Sequence, residues 1–175
     1  MQSESPIISN REQLLSLLTE SNLHYQLHEH PPIFNAEDGK QLAEYWMHIK
    51  GAHVKNLFVR NQKKTAYWLI TININKRVDL LALGKMLDAG RLSFANPAEL
   101  QAMLNVTPGS VTPFAIINDK DNRIQLILDE DLLAEEYINV HPMENTATIH
   151  LKLKDLRSFI EQRHSLIFAA IPGLN

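Results

Sequence analysis

The chain has 175 residues, of which 45% are apolar and 21% charged, a balance typical of a globular protein and not of a disordered or fibrous one. It contains no cysteine, which excludes disulfides, thiolate metal sites and cysteine nucleophiles. The N-terminus lacks the pattern of a signal peptide, and no stretch approaches the roughly 20 apolar residues that span a bilayer. We therefore expect a cytoplasmic protein without membrane contact.

The net charge is −3, but the charges are unevenly distributed. Of the 17 Lys and Arg residues, seven lie between Tyr45 and Val78 without any Asp or Glu, which leaves 10 cations against all 20 anions elsewhere. This asymmetry suits a polyanion that is bound and released. The alternative is a solvated strand-and-turn region that happens to lack acids.

Two helices and a short strand are predicted in the first 50 residues. The pair 9–10 can cap a helix with a stripe of leucines that ends at Asn22. A strand over 24–28 leads into two prolines, which force an extended turn. Asn35 is then typical of the N-cap of a second helix that runs to about Met47.

A hairpin is predicted next, because β-branched and aromatic residues are dense over 57–61 and 65–72 on either side of a polar turn. Residues 78–87 predict a helix and 92–95 a short strand. Asn96 and Pro97 supply the cap and first position of a helix that ends near 104.

The last third of the chain predicts more strands and one helix. Strands are expected over 114–118, 123–129, 137–140 and 147–151, and a final helix from Asp155. Strands and helices follow each other without a regular βαβ order. The sequence therefore predicts one α+β domain, with a mixed, mostly antiparallel sheet and helices packed around it.

Eight histidines are many for this length. His24, His28 and His30 share parity on an extended strand, which is a possible metal arrangement. The prolines after His30 and the lack of an acidic partner favour solvated or turn-stabilising histidines, so we expect no metal and no cofactor. The local signatures of serine hydrolases, NTPases and dinucleotide enzymes do not occur.

Three loops could carry chemistry. Lys55 and Asn56 place a cation beside a carboxamide at the start of a strand. The loop 109–113 combines a glycine, which lets backbone approach a ligand, with a stiffening proline, so its N–H groups could stabilise an oxyanion. His141 stands at a strand end before the turn 142–146. Each loop could also be an ordinary connector rich in turn-forming residues.

Five strings in the sequence carry a family resemblance: HEHPPIFNAEDG, GAHVKNLFVRN, LSFANPAEL, VTPGSVTPFAIIND and HPMENTATIHL. In this order they resemble the free-standing prolyl-tRNA editing proteins, the YbaK-type deacylases related to the insertion domain of bacterial prolyl-tRNA synthetases. KNLF, followed by GSVTPF and then by HP-x-x-N, is the most specific part. The resemblance covers about 23–160 and implies a single editing domain over 1–175.

The resemblance implies hydrolysis of an amino acid wrongly attached to the 3′ end of a tRNA, most often alanine on the proline tRNA. It implies that the protein binds tRNA and that it contacts prolyl-tRNA synthetase transiently. The implied site residues are, for catalysis, Lys55, Gly109, Ser110, Val111 and Thr112; for substrate binding, Asn56, Pro113, His141 and Asn145; and for tRNA contact, Lys50, Arg60, Lys63 and Lys64.

An editing reaction fits the chemistry of these residues. We expect Lys55 to anchor a terminal phosphate or the developing negative charge, while N–H groups of the loop 109–113 polarise the ester carbonyl for attack by water. A synthetase pocket built for proline cannot strongly reject alanine, because one missing methylene is worth only about 1–3 kcal/mol. A second pocket, in which His141 limits the size of the side chain, must then hydrolyse the error.

Three positions depart from the family's pattern: Asn35 stands for a common threonine, Asn61 for a common aspartate and Glu144 for a usually neutral residue. The first keeps the capping role, whereas the other two leave the subfamily and the preferred amino acid open. Two other functions stay open, namely a non-catalytic module that binds tRNA or a nucleotide, and a structural protein whose basic face meets an acidic partner. The oligomeric state is open as well.

Overall fold

The structure, a computed structural model, describes residues 6–32, 38, 42–43 and 46–174. Its strands form one mixed sheet, in which four of the seven strand pairings among the described residues are antiparallel. The strands are β1 Tyr25–Glu29, β2 Ala52–Asn61, β3 Tyr67–Asn73, β4 Leu92–Phe94, β5 Ile124–Asp129, β6 Tyr137–Val140, β7 Ala147–Lys152 and β8 Leu166–Ala169. Their order is β1-β7-β6-β2-β3-β5-β8, with β4 paired to β2. The predicted α+β class is confirmed.

Helices pack against this sheet. The α-helices are α1 Arg11–Glu20, α2 Leu80–Met86, α3 Pro97–Leu104 and α4 Leu153–Glu161, and two 3-10 helices span Pro113–Asn118 and Glu130–Ala134. Asp38, Leu42, Ala43 and Trp46 are helical, whereas Asn35, the predicted cap of that helix, lies outside the described residues. No helix in the described ranges is long and apolar enough to cross a bilayer.

The predicted strand over 114–118 is wrong, because Pro113–Asn118 forms a 3-10 helix. The Thr112 side chain accepts a hydrogen bond from the Phe114 N–H, and Pro113 takes the first helical position. The apolar residues that follow are all buried. The segment therefore lacks the regular spacing of apolar and polar residues that distinguishes a strand from a helix. β8 and the helix Glu130–Ala134 were not predicted.

β2 is the strand that positions the site. One of its edges pairs with β3 from Val54 to Arg60. Its other edge pairs with β6 at Ala52 and His53 and with β4 from Val59 onward. The stretch between these two partners contains Lys55 and Asn56, and the loop 107–112 approaches it instead of a strand.

Apolar residues bury both faces of the central strands. One cluster joins α1, α4 and the 3-10 helix Pro113–Asn118 to the inner face of β6 and β7, where Ile149 and Leu151 are buried. A second cluster lies on the other side of β2, β3 and β5 and includes Leu83 of α2. The central sheet is thereby a rigid support for side chains that project from β2.

Candidate active site

A cavity of about 250 Å³ lies where β2 and β6 meet the loop 107–112. Five residues that sequence reasoning selected line it: Lys55, Asn56, Gly109, Val111 and His141. They come from three separate segments of the chain, so only the fold brings the ammonium group, the loop and the histidine together.

The other residues of the predicted substrate loop do not line the cavity. Ser110, Thr112 and Pro113 are buried in the protein. The Ser110 N–H donates to the Thr107 carbonyl at 3.1 Å, so it closes the turn and does not serve as an oxyanion donor. Pro113 has no N–H. Their role in the structure is to hold the loop in place.

Two residues of the loop, Gly109 and Val111, line the cavity. Gly109 has φ +85°, a conformation that favours glycine, and a Cβ there would lie 3.6 Å from Asn145 Nδ2. Within the described part of the chain, the N–H groups of Gly109 and Val111 have no acceptor. Gly109 is exposed and Val111 is half-buried, so these N–H groups, which no protein acceptor occupies, can donate to a substrate oxygen.

Asn56 ties the loop to the sheet. Its Nδ2 donates to the Val111 carbonyl at 3.0 Å, and its Oδ1 accepts a hydrogen bond of 2.7 Å from the Thr71 hydroxyl. Thr71 is fully buried on β3, directly opposite Asn56 in the β2–β3 register. The Val111 carbonyl can only accept, so the amide nitrogen points at the loop, and the Thr71 hydroxyl holds the other end of the amide.

The Lys55 ammonium is partly desolvated. Burial, and secondly the positive charge of Arg77, lower the pKa of Lys55 from its usual value. Arg77 is exposed and forms no ion pair with any described residue. It follows β3 by four residues and is a basic group near the cavity that sequence reasoning counted but did not select.

His141 is neutral in this environment. Burial lowers its pKa, the hydrogen bond to the Ala147 carbonyl opposes this, and the nearby His30 lowers it further, with a net decrease. Because a carbonyl only accepts, Nδ1 of His141 carries the proton that it donates to Ala147 at 3.1 Å. The other ring nitrogen, Nε2, is left as a hydrogen-bond acceptor.

The predicted tRNA-binding cations lie at different distances from the cavity and differ in their partners. Lys50 lies close to the cavity, since its carbonyl accepts a hydrogen bond from Asn139, which lines the cavity. Arg60 is paired with Glu99 at 3.0 Å, with both side chains 14% exposed. Lys63 and Lys64 lie in the turn after β2, about 20 Å along the strand from Lys55.

Six further residues line the cavity that sequence reasoning did not select: Trp46, His53, Val54, Ile74, Asn139 and Thr148. Two of them could have been predicted, because residues two positions apart on a strand point to the same face. His53 lies two residues before Lys55, and Asn139 lies two residues before His141. Trp46 stacks on His53 with ring centroids 5.3 Å apart. Its indole N–H is buried and has no acceptor among the described residues.

Of the histidines weighed for a metal, His30 has other partners. The His30 ring contacts the Thr148 hydroxyl and the Pro31 carbonyl at 2.8 and 2.9 Å. In the described ranges, no group of three or more His, Asp or Glu side chains could hold a metal ion.

Known proteins share this sequence over most of its length. The sequence model for the aminoacyl-tRNA editing domain matches residues 30–159. The chain belongs to the aminoacyl-tRNA editing domain family. As a member it is an aminoacyl-tRNA deacylase, an ester hydrolase, and the resemblance seen in the sequence is confirmed.

Relatives of this editing domain agree with the assignment. The "Prolyl-tRNA editing protein ProX" of Acetoanaerobium sticklandii is 30% identical over 152 residues, which are 86% of this chain and 90% of that protein. The "Prolyl-tRNA synthetase associated domain-containing protein 1" of Bos taurus is 36% identical over 137 residues, 76% and 78% of the two chains. The crystal structure of a candidate trans-editing enzyme for prolyl-tRNA synthetase shares the fold, with a TM-score of 0.68, 21% identity and coverage of 97% and 99%.

Two departures of this editing domain from the family pattern have structural partners. The Asn61 carboxamide accepts hydrogen bonds from the N–H groups of Thr65 and Ala66 and stabilises the β2–β3 turn. Glu144 forms an ion pair with Arg11 at 3.1 Å and accepts a hydrogen bond from the Thr146 hydroxyl. Asn35 lies outside the described residues.

Proposed function

We propose that this editing domain hydrolyses mischarged proline tRNA in trans, with alanyl-tRNA(Pro) as its main substrate. The observation that carries the proposal is the meeting of Lys55, two unpaired main-chain N–H groups and a neutral His141 in one cavity of about 250 Å³. The names of the relatives support proline tRNA as the carrier. Such a substrate would place the protein in the cytoplasm, in transient contact with prolyl-tRNA synthetase.

The size of the cavity suits the aminoacyl end of the substrate. Its volume of about 250 Å³ is below the ~300–1,000 Å³ of pockets that hold whole drug-sized ligands. It can therefore take the aminoacyl ester but not the attached nucleotide. In this proposal the Trp46–His53 ring pair and His141, which line the cavity, limit the size of the amino-acid side chain.

The mechanism that we propose is positioning and charge stabilisation. The N–H groups of Gly109 and Val111 donate to the ester carbonyl oxygen, and Lys55 stabilises the negative charge that develops when water adds to the carbonyl carbon. The bond from the carbonyl carbon to the ribose oxygen then breaks. That oxygen takes a proton, and the free amino acid leaves. An ester needs no protein nucleophile for this step.

The direct test is release of amino acid from a panel of charged tRNAs. We expect fast release of alanine from alanyl-tRNA(Pro) and little release of proline from prolyl-tRNA(Pro), because we propose that His141 and the Trp46–His53 pair restrict the size of the side chain. The measurement is the rate of loss of radiolabelled amino acid from each tRNA. Tight binding of alanyl-tRNA(Pro) without release would instead indicate a non-catalytic binding module.

Thr71 offers a test of how the loop is positioned. Substitution of Thr71 by valine keeps the shape but removes the hydroxyl that orients Asn56. We expect kcat/KM for alanyl-tRNA(Pro) to fall about tenfold, mostly in kcat, because a buried hydrogen bond is worth about 0.5–1.5 kcal/mol and the loop donors shift. The Thr71→Ser variant, which keeps the hydroxyl, should retain most activity. Equal activity of the valine and serine variants would contradict the role of the hydroxyl.

A further inference from the structure

A second concavity of about 650 Å³ lies beside the cavity, on the outer face of β1, β6 and β7. We call it the outer groove. Residues with rings or charges that line it are His24, Tyr25, Tyr137, His150, Lys152, Lys154 and Asp155. The inner face of the same strands packs against α1 and α4, whose buried side chains share a cluster with Ile149 and Leu151.

A row of paired residues connects the cavity to the outer groove. In the sheet register His53 is opposite Asn139, Asn139 is opposite His150, and His150 is opposite Gln26. The first two line the cavity and the last two line the groove. Because neighbouring strands are about 4.8 Å apart, His150 lies about 10 Å from His53 on the same face of the sheet. A ligand can therefore extend from one concavity into the other.

The outer groove contains a rigid pair of rings. Tyr137 and His150 are stacked, with centroids 4.7 Å apart and ring planes 10° apart. His150 Nδ1 contacts Asn139 Oδ1 at 2.8 Å, and the Asn139 amide nitrogen is directed to the Lys50 and Ala52 carbonyls. Burial, and then the charges of His28 and His53, lower the pKa of His150, so the ring is neutral. A flat, neutral ring pair of this kind can stack with an unpaired base.

The charges around the ring pair suit a phosphate. Lys152 lies opposite Tyr137 in the β6–β7 register, and Lys154 is exposed at the start of α4. The anions nearby are Asp155 and Glu136. Lys152 approaches Glu136 only at 3.7 Å with both side chains largely solvated, and a surface pair of this kind is worth little. The Lys152 ammonium is thus free to exchange this partner for a phosphate.

We propose that the outer groove binds the unpaired nucleotide that precedes the aminoacylated terminal nucleotide of the tRNA, with its base on the Tyr137–His150 pair and its phosphate at Lys152. The proposal rests on the proposed function, since it assumes that the aminoacyl ester occupies the cavity. A cavity of about 250 Å³ cannot hold the nucleotide chain, which must cross the adjoining surface. The ring pair would hold the 3′ end in a fixed direction while the ester is hydrolysed.

The test is a double substitution cycle between the Tyr137 ring and the base. Steady-state deacylation is measured for the wild type and Tyr137→Leu, each with alanyl-tRNA(Pro) that has either an intact or an abasic penultimate nucleotide. We expect the leucine variant to raise KM about 5- to 150-fold on the intact tRNA, the range of one base–aromatic stack. With the wild-type protein, the abasic tRNA should raise KM by a similar factor. The leucine variant combined with the abasic tRNA should show no further increase in KM. Tyr137→Phe, which keeps the ring, should match the wild type.

Two results would overturn the proposal: an unchanged KM for Tyr137→Leu on the intact tRNA, or effects of the two changes that multiply. Melting temperatures of both variants show whether the fold is kept. A wild type that releases no alanine would refute the proposed function instead. In that event the same four combinations, measured as binding of uncharged tRNA, still test whether the outer groove stacks the base.

Discussion

Substitution of Lys55 by alanine should lower kcat/KM for deacylation of alanyl-tRNA(Pro) by about 100- to 1,000-fold, the effect of removing one group that stabilises an oxyanion. The ammonium projects from the central strand into the cavity and is partly desolvated, which strengthens its interaction with negative charge. Its removal breaks no hydrogen bond or ion pair within the described residues. The melting temperature should therefore stay close to that of the wild type.

The matched control for this substitution is Lys85→Ala. Lys85 is an exposed lysine in the last turn of α2 that does not line the cavity, and it should be replaceable without loss of activity. Single-turnover kinetics with labelled alanyl-tRNA(Pro) separate the chemical step from binding. A Lys55→Ala protein with wild-type turnover would remove this residue from the mechanism.

Substitution of Asp119 by alanine should lower the free energy of unfolding by about 3–5 kcal/mol, the cost of breaking a buried ion pair by removing one partner. Asp119 Oδ2 accepts a hydrogen bond from His164 Nε2 at 3.0 Å, and the two side chains are 5% and 2% exposed. The same carboxylate accepts the N–H groups of Arg123 and Ile124 at 3.0 and 2.8 Å. Its loss leaves three donors without this acceptor, two of them buried, His164 Nε2 and the Ile124 N–H.

The size of this effect should depend on pH. Burial of His164 disfavours its charged form. The hydrogen bonds to Asp119 and to the Ser165 carbonyl, together with the negative charge of Asp119, outweigh this effect, so the pKa of His164 is raised. For Asp119, burial is likewise outweighed by the bonds from His164, Arg123 and Ile124, so its pKa is lowered. Both groups are therefore charged in the folded protein over a wider pH range than in the unfolded chain.

The sign of the pH dependence follows from these directions. The His164 contribution is complete below its unfolded pKa of about 6.5 and is lost as the pH rises through the raised folded value. The Asp119 contribution is complete above its unfolded pKa of about 3.9 and is lost as the pH falls through the lowered folded value. The difference in unfolding free energy between wild type and Asp119→Ala should be largest between about pH 4 and 6.5.

Urea denaturation at several pH values measures this difference. Asp121→Ala is the control, since Asp121 lies in the same turn with an exposed side chain, and surface substitutions usually change stability by less than ~0.5 kcal/mol. A wild-type advantage that grows steadily from pH 6 to pH 9 would contradict the charged pair. Equal loss in the Asp121→Ala protein would show that the turn, and not the buried pair, determines stability.

The fold could be predicted where the residues alternate or carry a cap. The β2–β3 hairpin, α1 with its Asn10 cap and α3 with its Asn96 cap lie close to where the sequence placed them. The segment 114–118 could not be assigned, because all of its side chains are buried and an unbroken apolar run has no period. β8 is short and pairs in parallel with β5, a contact between distant parts of the chain that no local pattern indicates.

The site was predicted only in part, for reasons of the same kind. Lys55, the loop 109–113 and His141 were selected through turn chemistry and family resemblance, and the roles given to them remain predictions. Arg60 has Glu99 as its partner, 39 positions away, and the sequence does not show that pairing. Nor does it show that the N–H of Ser110 is already used by the Thr107 carbonyl. Both facts depend on contacts made only in three dimensions.

The site can form only when β6 and β7 pair in the correct register. Side chains alternate along a strand, so a slip of β6 by one residue would turn Asn139 toward the interior and expose Ile138. A mispaired molecule would lack a working site and would also present apolar side chains on an uncovered face. The molecules that are inactive should thus also be the molecules that aggregate. Cellular quality control can remove these molecules before they bind tRNA.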